Sequence, residues 1–452
     1  MLRVVDLILP DVRDALARDP AEIRALVEEL HPVDAGEVFL ALGDDERVRF
    51  LKALPVREQV PILEEIDPDL RATVFESIAP ELAQRLVAEM SADEAADLLA
   101  ALPPGLRERM LARMPRDEAR DLRSLLAWPE GTCGALMTTD FVALEAEMSV
   151  AQAIERIRRV AEEKETIYYA YAVSPEGSLR GVVSLRELVT AKPDRHVADL
   201  MESEHVIAVR ASDDQSEASR AISRYDLLAV PVTDDAGRLL GIVTVDDVVD
   251  VVQEEITEDV HKMAGMVPLE ESYFQASFFR MLRSRAGWLI VLFVGELFTG
   301  NALRAYEESF AEALALVFFI PLIVSAGGNT GSQSAGLLIR ALAVGEVVPK
   351  QAWRVALRET ASGLLLGVIL AAIGVLRAVL WPDVSWQLAT VVGLAVMFVV
   401  SFGAVVGALM PIGIKMLGLD PAVSSAPLIA TVIDVTGMVI YFQIAQAVLG
   451  LP

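Results

Sequence analysis

Two patterns of apolar positions divide this chain. From residue 286 onward the apolar residues run in long blocks, near 286–303, 313–339, 355–380, 387–413 and 423–449. Each block is long enough to cross roughly 30 Å of hydrocarbon as a helix. Earlier in the chain the apolar residues come in short periodic groups. Cut every twelve residues, positions 55 to 126 read PVREQVPILEEI, DPDLRATVFESI, APELAQRLVAEM, SADEAADLLAAL, PPGLRERMLARM and PRDEARDLRSLL. Each unit opens on a helix starter and nearly always places apolar residues at its eighth, ninth and last positions, as at Leu86, Val87 and Met90. One unit is a helix of two to three turns with a tight turn. It can bury its apolar edge only against its neighbours, so the units are expected to stack into an all-α superhelix.

Residues 137 to 255 change character, with short β-branched runs alternating with helical ones. Gly177-Ser-Leu-Arg-Gly181-Val-Val-Ser-Leu-Arg-Glu-Leu-Val189 matches Gly237-Arg-Leu-Leu-Gly241-Ile-Val-Thr-Val-Asp-Asp-Val-Val249 at an offset of 60, and each copy starts near a Met, Met137 or Met201. Each copy reads as strand, turn, strand, helix. The pair resembles tandem CBS domains, which implies sensing of adenosine nucleotides or ions. The nucleotide-type pattern Ser/Thr-x-x-Asp is intact at Thr244 and Asp247, whereas the first copy has Ser184 and Glu187. ATP at Thr244 and Asp247 is therefore an open expectation. From about Asp247 to Gln275 the pattern is helical and leads directly into the apolar blocks.

Charge separates the two regions further. The first 275 residues carry 56 of the 65 acidic residues against 29 of the 39 basic ones, a net of −27, which leaves +1 for the remaining 177 out of the total of −26. Such an anionic soluble part argues against nucleic acid and against docking on anionic lipid, and favours metal cations as partners. One cysteine, Cys133, excludes an intramolecular disulfide and fits a cytosolic soluble half. The amino terminus, Met1-Leu-Arg-Val-Val-Asp-Leu, lacks a long apolar core, so no signal peptide is expected. Arg280, Arg283 and Arg285 precede the first span; Arg340, Lys350 and Arg354 lie between the second and third, and Lys415 between the fourth and fifth. The opposite loops carry Arg304 with Glu307, Glu308 and Glu312, then Arg377 with Asp383. The positive-inside rule places the N-terminus in the cytosol and the C-terminus outside.

Three constellations carry candidate chemistry. The first is Asp434, which sits in the last span with no Lys or Arg between Lys415 and the C-terminus. A lone intramembrane carboxylate costs roughly 2.5 to 3.5 kcal/mol on insertion scales and normally marks an ion or proton pathway. The competing account is a structural carboxylate bonded to Thr431 or Thr436. Glu296 and Glu359 are weaker candidates, the latter expected to pair with the adjacent Arg358. The second is Ala326-Gly-Gly-Asn-Thr-Gly-Ser-Gln-Ser334, inside the second span. Either it lines a pore, with unwound or closely packed backbone and the Asn329 amide oxygen facing a hydrated cation, or it is a small-residue helix-packing face. The third is Asp246, Asp247, Asp250, Glu254, Glu255, Glu258 and Asp259, seven carboxylates in fourteen residues with no positive charge before Lys262. On a helix 247, 250, 254 and 258 share a face, a like-charge stripe that cations would relieve. The four histidines, His31, His196, His205 and His261, are scattered, and no nucleophile–base grouping or phosphate loop appears, so an enzyme is not expected.

With these residues in place the chain is similar to the MgtE family of magnesium transporters over essentially its full length. The shared segments are Glu165-Thr-Ile-Tyr-Tyr169, Thr244-Val-Asp-Asp-Val-Val-Asp250, Thr257-Glu-Asp-Val-His-Lys262, Gly327-Gly-Asn-Thr-Gly331 and Pro427-Leu-Ile-Ala-Thr-Val-Ile-Asp-Val-Thr-Gly437. The resemblance implies a homodimeric, Mg2+-selective channel of the inner membrane. It implies a pore site at Asp434 with Asn329, the carbonyl of Ala430 and Thr431. Regulatory Mg2+ would be held among the acidic stripe, Asp93, Asp97 and Asp226. The family pattern commonly has Asn at the position of Ser332, and some relatives have Asn at that of Ala426. The expected architecture is a multidomain membrane protein: an all-α superhelical N domain (1–130), α/β tandem CBS domains (131–196 and 197–249), a linking helix (250–275) and an all-α five-helix transmembrane domain (276–452).

Overall fold

The computed structural model describes residues 4–18, 20–66, 68–161, 164–269, 273, 276–307, 314–382 and 384–451. Glu308, Glu312 and Asp383, named above for the loops opposite the basic ones, lie outside these residues, as do 1–3, Asp67 and Gln275. The chain forms two compact units, one ending at Val252 and the other beginning at Gln253.

The first unit starts with ten described helices. They are α1 (Val4–Arg18), α2 (Pro20–Glu28), α3 (Pro32–Ala41), α4 (Asp44–Ala53), α5 (Val56–Glu64), α6 (Pro68–Ser77), α7 (Pro80–Val87), α8 (Ala92–Ala101), α9 (Pro104–Leu111) and α10 (Arg116–Leu125). From α2 onward their first residues fall at 20, 32, 44, 56, 68, 80, 92, 104 and 116, every twelve residues. The apolar positions read from the repeat are the core: Ile62, Leu63 and Ile66, then Val74, Phe75 and Ile78, and so on to Met110, Leu111 and Met114, are all buried. Helices pack on those two along, α1 on α3, α2 on α4, α3 on α5, α5 on α7, α6 on α8 and α8 on α10, which is the superhelical arrangement. The repeat also runs upstream of residue 55, because Val38, Phe39 and Leu42, and Phe50, Leu51 and Leu54, occupy the same three positions and are buried.

After α11 (Cys133–Leu136) come two three-stranded sheets of identical topology. The first holds β1 (Val142–Leu144), β2 (Tyr169–Val173) and β3 (Leu179–Ser184), with α12 (Val150–Val160) and α13 (Leu185–Thr190). The second holds β4 (Val209–Arg210), β5 (Ala229–Thr233) and β6 (Leu239–Thr244), with α14 (Gln215–Tyr225) and α15 (Val245–Met263). In each the first pair is parallel and the second antiparallel, and each has an irregularity at the same place, Ala172/Val173 and Val232/Thr233. The lead-in methionines are exchanged. Met201 packs on Gly181 and Met137 on Gly241, where an added Cβ would come within 2.9 Å of the sulfur. The two copies therefore interlock.

The second unit has five helices long and apolar enough to cross a membrane among the described residues. They are α16 (Phe278–Ala305), α17 (Ile320–Ala343, entered through a 3-10 turn at Leu314–Phe319), α18 (Ala352–Val379), α19 (Trp386–Met416) and α20 (Ala426–Leu449). Helix α19 is the centre, buried along Val391, Val392, Ala395, Val399 and Gly403, and packed by α17, α18 and α20. Helix α16 touches mainly α20 and turns Leu289, Ile290, Phe293 and Phe298 outward.

The Gly-rich segment stays wound, the closely packed rather than the unwound of the two backbone arrangements expected. An added Cβ at Gly403 would lie 2.4 Å from the Gly327 carbonyl, and one at Gly407 2.0 Å from that of Gly331. Those glycines are the contact where α17 and α19 touch backbone to backbone, the small-residue packing that membrane helices use in place of a hydrophobic driving force. The polar residues between them point elsewhere: Ser325, Asn329 and Gln333 are exposed while Gly327, Thr330, Gly331 and Ser334 are buried. One helix thus has a packing face and a polar face.

Candidate cation sites

In the membrane unit, α17 and α20 meet where Gly328 lies against Ala430, with 3.8 Å from an added Cβ to the Ala430 Cα. This sets Asn329, the next residue on α17, beside the turn of α20 that leads to half-buried Asp434. Helix α16 crosses α20 at Gly295 and Thr431, where an added Cβ would be 2.9 Å from the threonine methyl. That crossing brings Glu296 within electrostatic reach of Asp434. The threonines considered as structural partners of Asp434 are engaged with their own helix, Thr431 donating to the Pro427 carbonyl (3.1 Å) and Thr436 to that of Val432 (2.7 Å). Asn329 donates to Ser325 at 3.5 Å and keeps its amide oxygen available. Glu359 accepts a hydrogen bond from the Ser334 hydroxyl on α17 (2.7 Å), so helix-to-helix bonding holds it where pairing with Arg358 was expected. Ser332 donates to the Ala426 carbonyl at 3.4 Å, which joins the two positions that depart from the family pattern.

Helix α15 ends at a charged junction within the same unit. The Lys262 ammonium bridges Glu258 (2.5 Å) and Asp420 (2.6 Å), the latter in the loop before α20. Burial, then the Asp420 charge, pushes the Asp259 carboxyl above its usual range, with Lys262 opposing. Asp250 and Glu254 are exposed and Glu255 half-buried. The start of the acidic stripe lies in the first compact unit and its end, from Gln253 on, in the second.

The soluble unit gathers the other acidic candidates. Burial raises the Asp93 carboxyl despite a bond from Ser91, and its Oδ1 is buried with no hydrogen-bond partner. Asp247 is pushed up to about 7, by burial first, then by Asp93 and Asp246, against the Thr244 bonds. Glu64, Asp97 and Glu165 are likewise raised to about 7, each by burial first and then by neighbouring carboxylates. Asp97 and Glu165 are the more exposed of these, so water screens them most. Arg71, buried on the same side, pairs with Glu94 and donates to the Glu64 carbonyl at 2.8 Å. Asp93, Asp97 and Asp247 thus come together, with Asp246 at the rim. Asp226 does not join them; it caps α14 in the left-handed region at φ 52 and is exposed. Among the described residues no three His, Cys, Asp or Glu converge closely enough to chelate a metal directly. Half-buried carboxylates with one orphaned oxygen and no tight cage suit a hard cation that keeps most of its water.

The Thr244–Asp247 pattern has a local role. The Thr244 hydroxyl donates to Asp247 Oδ2 at 2.6 Å, and Ser184 donates to Glu187 Oε2 at 2.7 Å in the first copy. Both pairs cap the helix that follows, so these residues serve the fold with or without a nucleotide. Sequence reasoning missed Glu64 and Glu94, took Glu165 only as part of a motif, and did not pair Lys262 with Asp420. Lys262 was the visible signal, the first cation after fourteen acid-rich residues.

Known proteins match along the chain. The family model for MgtE, "Divalent cation transporter", matches residues 320–444, the "MgtE intracellular N domain" 30–131, and the CBS domain 133–194 and 197–254. "Magnesium transporter MgtE" of Thermus thermophilus is 36% identical over 95% of this chain and 96% of its own. The proteins of the same name from Bacillus subtilis and Enterococcus faecalis are 32% and 37% identical over 99% and 94% of this chain, and 97% and 93% of their own. The chain belongs to the MgtE family. Two crystal structures, of the soluble part of a magnesium transporter and of the cytosolic domain of the Mg2+ channel MgtE in complex with ATP, each superpose with TM-score 0.52. They are 35% and 34% identical, cover 56% and 54% of this chain, and match 99% of their own chains. This MgtE protein is therefore a multidomain membrane protein with a helical N domain, a CBS pair and an apolar five-helix region.

Proposed function

We propose that this chain is a Mg2+-selective channel that imports magnesium and is closed by Mg2+ on its soluble side. The observation that carries the reading is the half-buried Asp434 carboxylate on α20, beside the polar face of α17 and without a hydroxyl partner of its own. Two copies of the chain on a two-fold axis would present two Asp434 carboxylates, with Asn329, Thr431 and the Ala430 carbonyl nearby. Mg2+ typically binds proteins through one or two carboxylates and retains several waters. The likeness to proteins named magnesium transporter supports the ion, and the excess negative charge of the soluble part supports cation sensing.

In this reading Asp93, Asp97, Asp246 and Asp247 hold hydrated Mg2+ when its concentration is high, and repel one another when it is low. Asp226, Asp250, Glu254, Glu255 and Asp259 add to the cation-attracting surface, while Glu258 is already paired with Lys262. The N-terminus and the soluble unit lie in the cytosol, with the five helices in the inner membrane. ATP at the CBS pair follows from the likeness to the ATP-bound cytosolic domain, with Thr244 and Asp247 as its contacts. The test is Mg2+ flux into proteoliposomes holding the purified full-length protein, with and without millimolar Mg2+ on the soluble face. Asp434→Asn is expected to abolish selective flux while leaving a folded protein. Retained Mg2+ selectivity would reject the pore assignment, and dependence on a Na+ or H+ gradient would replace the channel with coupled exchange.

A further inference from the structure

The first turns of α18 carry a cationic stripe with no acidic counterpart. Lys350 lies in the 3-10 turn Pro349–Gln351 that leads into the helix, and Arg354 and Arg358 follow at four-residue steps, so the three share one face. All three are exposed, and among the described residues none of them forms an ion pair. Glu359, next to Arg358 in sequence, faces the other way: it accepts from the Ser334 hydroxyl (2.7 Å), on the side where Ala352 and Val355 pack against α17 and α19. Like charges one turn apart destabilise a helix, so the stripe is costly until an anion meets it. The length of the helix sets its depth. Arg358 and Arg377 are nineteen residues apart on α18, about 29 Å along its axis, which is the thickness of the hydrocarbon layer. Arg358 therefore sits at the hydrocarbon boundary, and Arg354 lies one turn above it in the headgroup layer, its guanidinium 5.5 Å from the ring centroid of exposed Trp353. Below Arg358 the same line of the helix continues through Leu365 and Ile369, 69% and 57% exposed. The far end of α18 differs, since Arg377 is a lone cation 4.5 Å over Trp381, a ring that itself packs on Phe318 and Phe319.

We propose that this face of α18 binds an anionic phospholipid, with its phosphate between Arg354 and Arg358 and its acyl chains along Leu365 and Ile369. Charge complementarity selects the headgroup. Two guanidiniums one turn apart offer forked N–H donors that match phosphate oxygens, and Lys350 adds a third positive charge above them. A zwitterionic headgroup brings its own ammonium to this stripe and forfeits most of the attraction. The exposed apolar residues directly beneath the arginines select the rest of the ligand, a molecule charged at one end and apolar at the other. Basic clusters at the membrane surface attract anionic lipid in this way. The strongly acidic soluble part repels such lipid, but the membrane unit is near neutral and concentrates its positive charge here. Neither Asp434 nor the acidic cluster takes part, so the site stands whether or not the chain is a channel.

The test is native mass spectrometry of the delipidated full-length protein in neutral detergent, titrated with phosphatidylglycerol and, separately, with phosphatidylcholine. Wild type should hold phosphatidylglycerol in clear preference, and inorganic phosphate at tens of millimolar should not displace it. Loss of one charge, in Arg354→Gln or Arg358→Gln, should weaken phosphatidylglycerol binding about fivefold, and loss of both about thirtyfold. The double Arg→Lys variant should stay within a few-fold of wild type, and Arg377→Gln should match it. Equal binding of the two lipids by wild type overturns the proposal without any variant. Equal weakening in Arg377→Gln and Arg358→Gln would reduce it to general surface charge, and displacement by inorganic phosphate would make the stripe a site for a free anion. If the double Arg→Gln variant loses a second copy of the chain while each chain keeps its lipid, the face is a contact between copies and the lipid site is rejected.

Discussion

Replacing Asp247 by Asn removes one charge from the acidic cluster and keeps its shape. The Thr244 hydroxyl, now donating to Oδ2 at 2.6 Å, can donate to the amide oxygen, so the start of α15 stays capped. Burial, with Asp93 and Asp246 behind it, raises this carboxyl from 3.8 to about 7. A carboxyl raised on folding binds more protons folded than unfolded, so it destabilises progressively as pH climbs from about 4 to about 7, and fully above. Roughly three pKa units correspond to about 4 kcal/mol. Asp247 is only partly shielded from water, and screening leaves about 1–2 kcal/mol. For a unit of some 250 residues that is about 2–8 °C in melting temperature. In chelator near pH 8 the variant should therefore melt higher than wild type by this amount, and the gap should narrow toward about pH 5. Millimolar Mg2+ should then stabilise wild type more than the variant. The measurement is thermal unfolding of the detergent-solubilised full chain. A variant that melts lower near pH 8, or a gap constant with pH, would refute the account of Asp247 as a buried, unrelieved charge.

Other expectations follow from packing and linkage. Arg71 is only 2% exposed, and Arg71→Met removes the partner of Glu94 and the donor to the Glu64 carbonyl; it should destabilise the soluble unit by about 1.5–3 kcal/mol in urea unfolding. Gly407→Ala forces a Cβ to 2.0 Å from the Gly331 carbonyl and should yield aggregated membrane protein, whereas Gly413→Ala meets nothing within 4 Å; size-exclusion profiles in detergent separate the two. Mg2+ at about 100-fold over its dissociation constant should slow proteolysis of the soluble unit as a stabilisation of about 2.7 kcal/mol per site requires. Asp93→Ala should weaken that protection, and equal protection in both proteins would remove Asp93 from the cation site.

Much of the fold was legible because its periodicities are strict. A twelve-residue spacing can only be satisfied by identical short helices, and helix starts at 56, 68, 80, 92, 104 and 116 follow it without a slip. The three units upstream were overlooked although they keep the spacing, because two of their starts are unusual. His31 caps α3 by accepting the Val33 N–H on Nδ1 (3.4 Å), and Gly43 starts α4 with its own N–H bonded to Glu46 (2.9 Å). Both are followed by ordinary starters, Pro32 and Asp44, so the spacing was there to be read. The 60-residue offset between the CBS copies was equally plain, but the exchange of Met137 and Met201 was not. Sequence similarity between two copies says nothing about which lead-in segment covers which sheet.

The candidate sites were less legible, and the reason is the same in both units. Composition identifies a carboxylate but not its neutraliser. Glu258 reads as one more member of an acidic stripe, yet Lys262, one turn on, already holds it together with Asp420, a residue 158 positions further along the chain. Asp93 adjoins Glu94 in sequence, but the Arg71 guanidinium is committed to Glu94 and to backbone carbonyls, and Asp93 Oδ1 is buried with no partner. A cation from solution gains most where the protein supplies none, because an unpaired buried charge costs more than a pair. On the proposed reading the regulatory ion sits at Asp93 and Asp247, whereas Lys262 already neutralises Glu258 at the other end of the stripe. Calorimetric titration should bear this difference out: Glu258→Gln should leave the Mg2+ affinity of the soluble unit nearly unchanged, and Asp93→Asn should weaken it by about tenfold or more. Equal losses in the two variants would return the stripe to a single site.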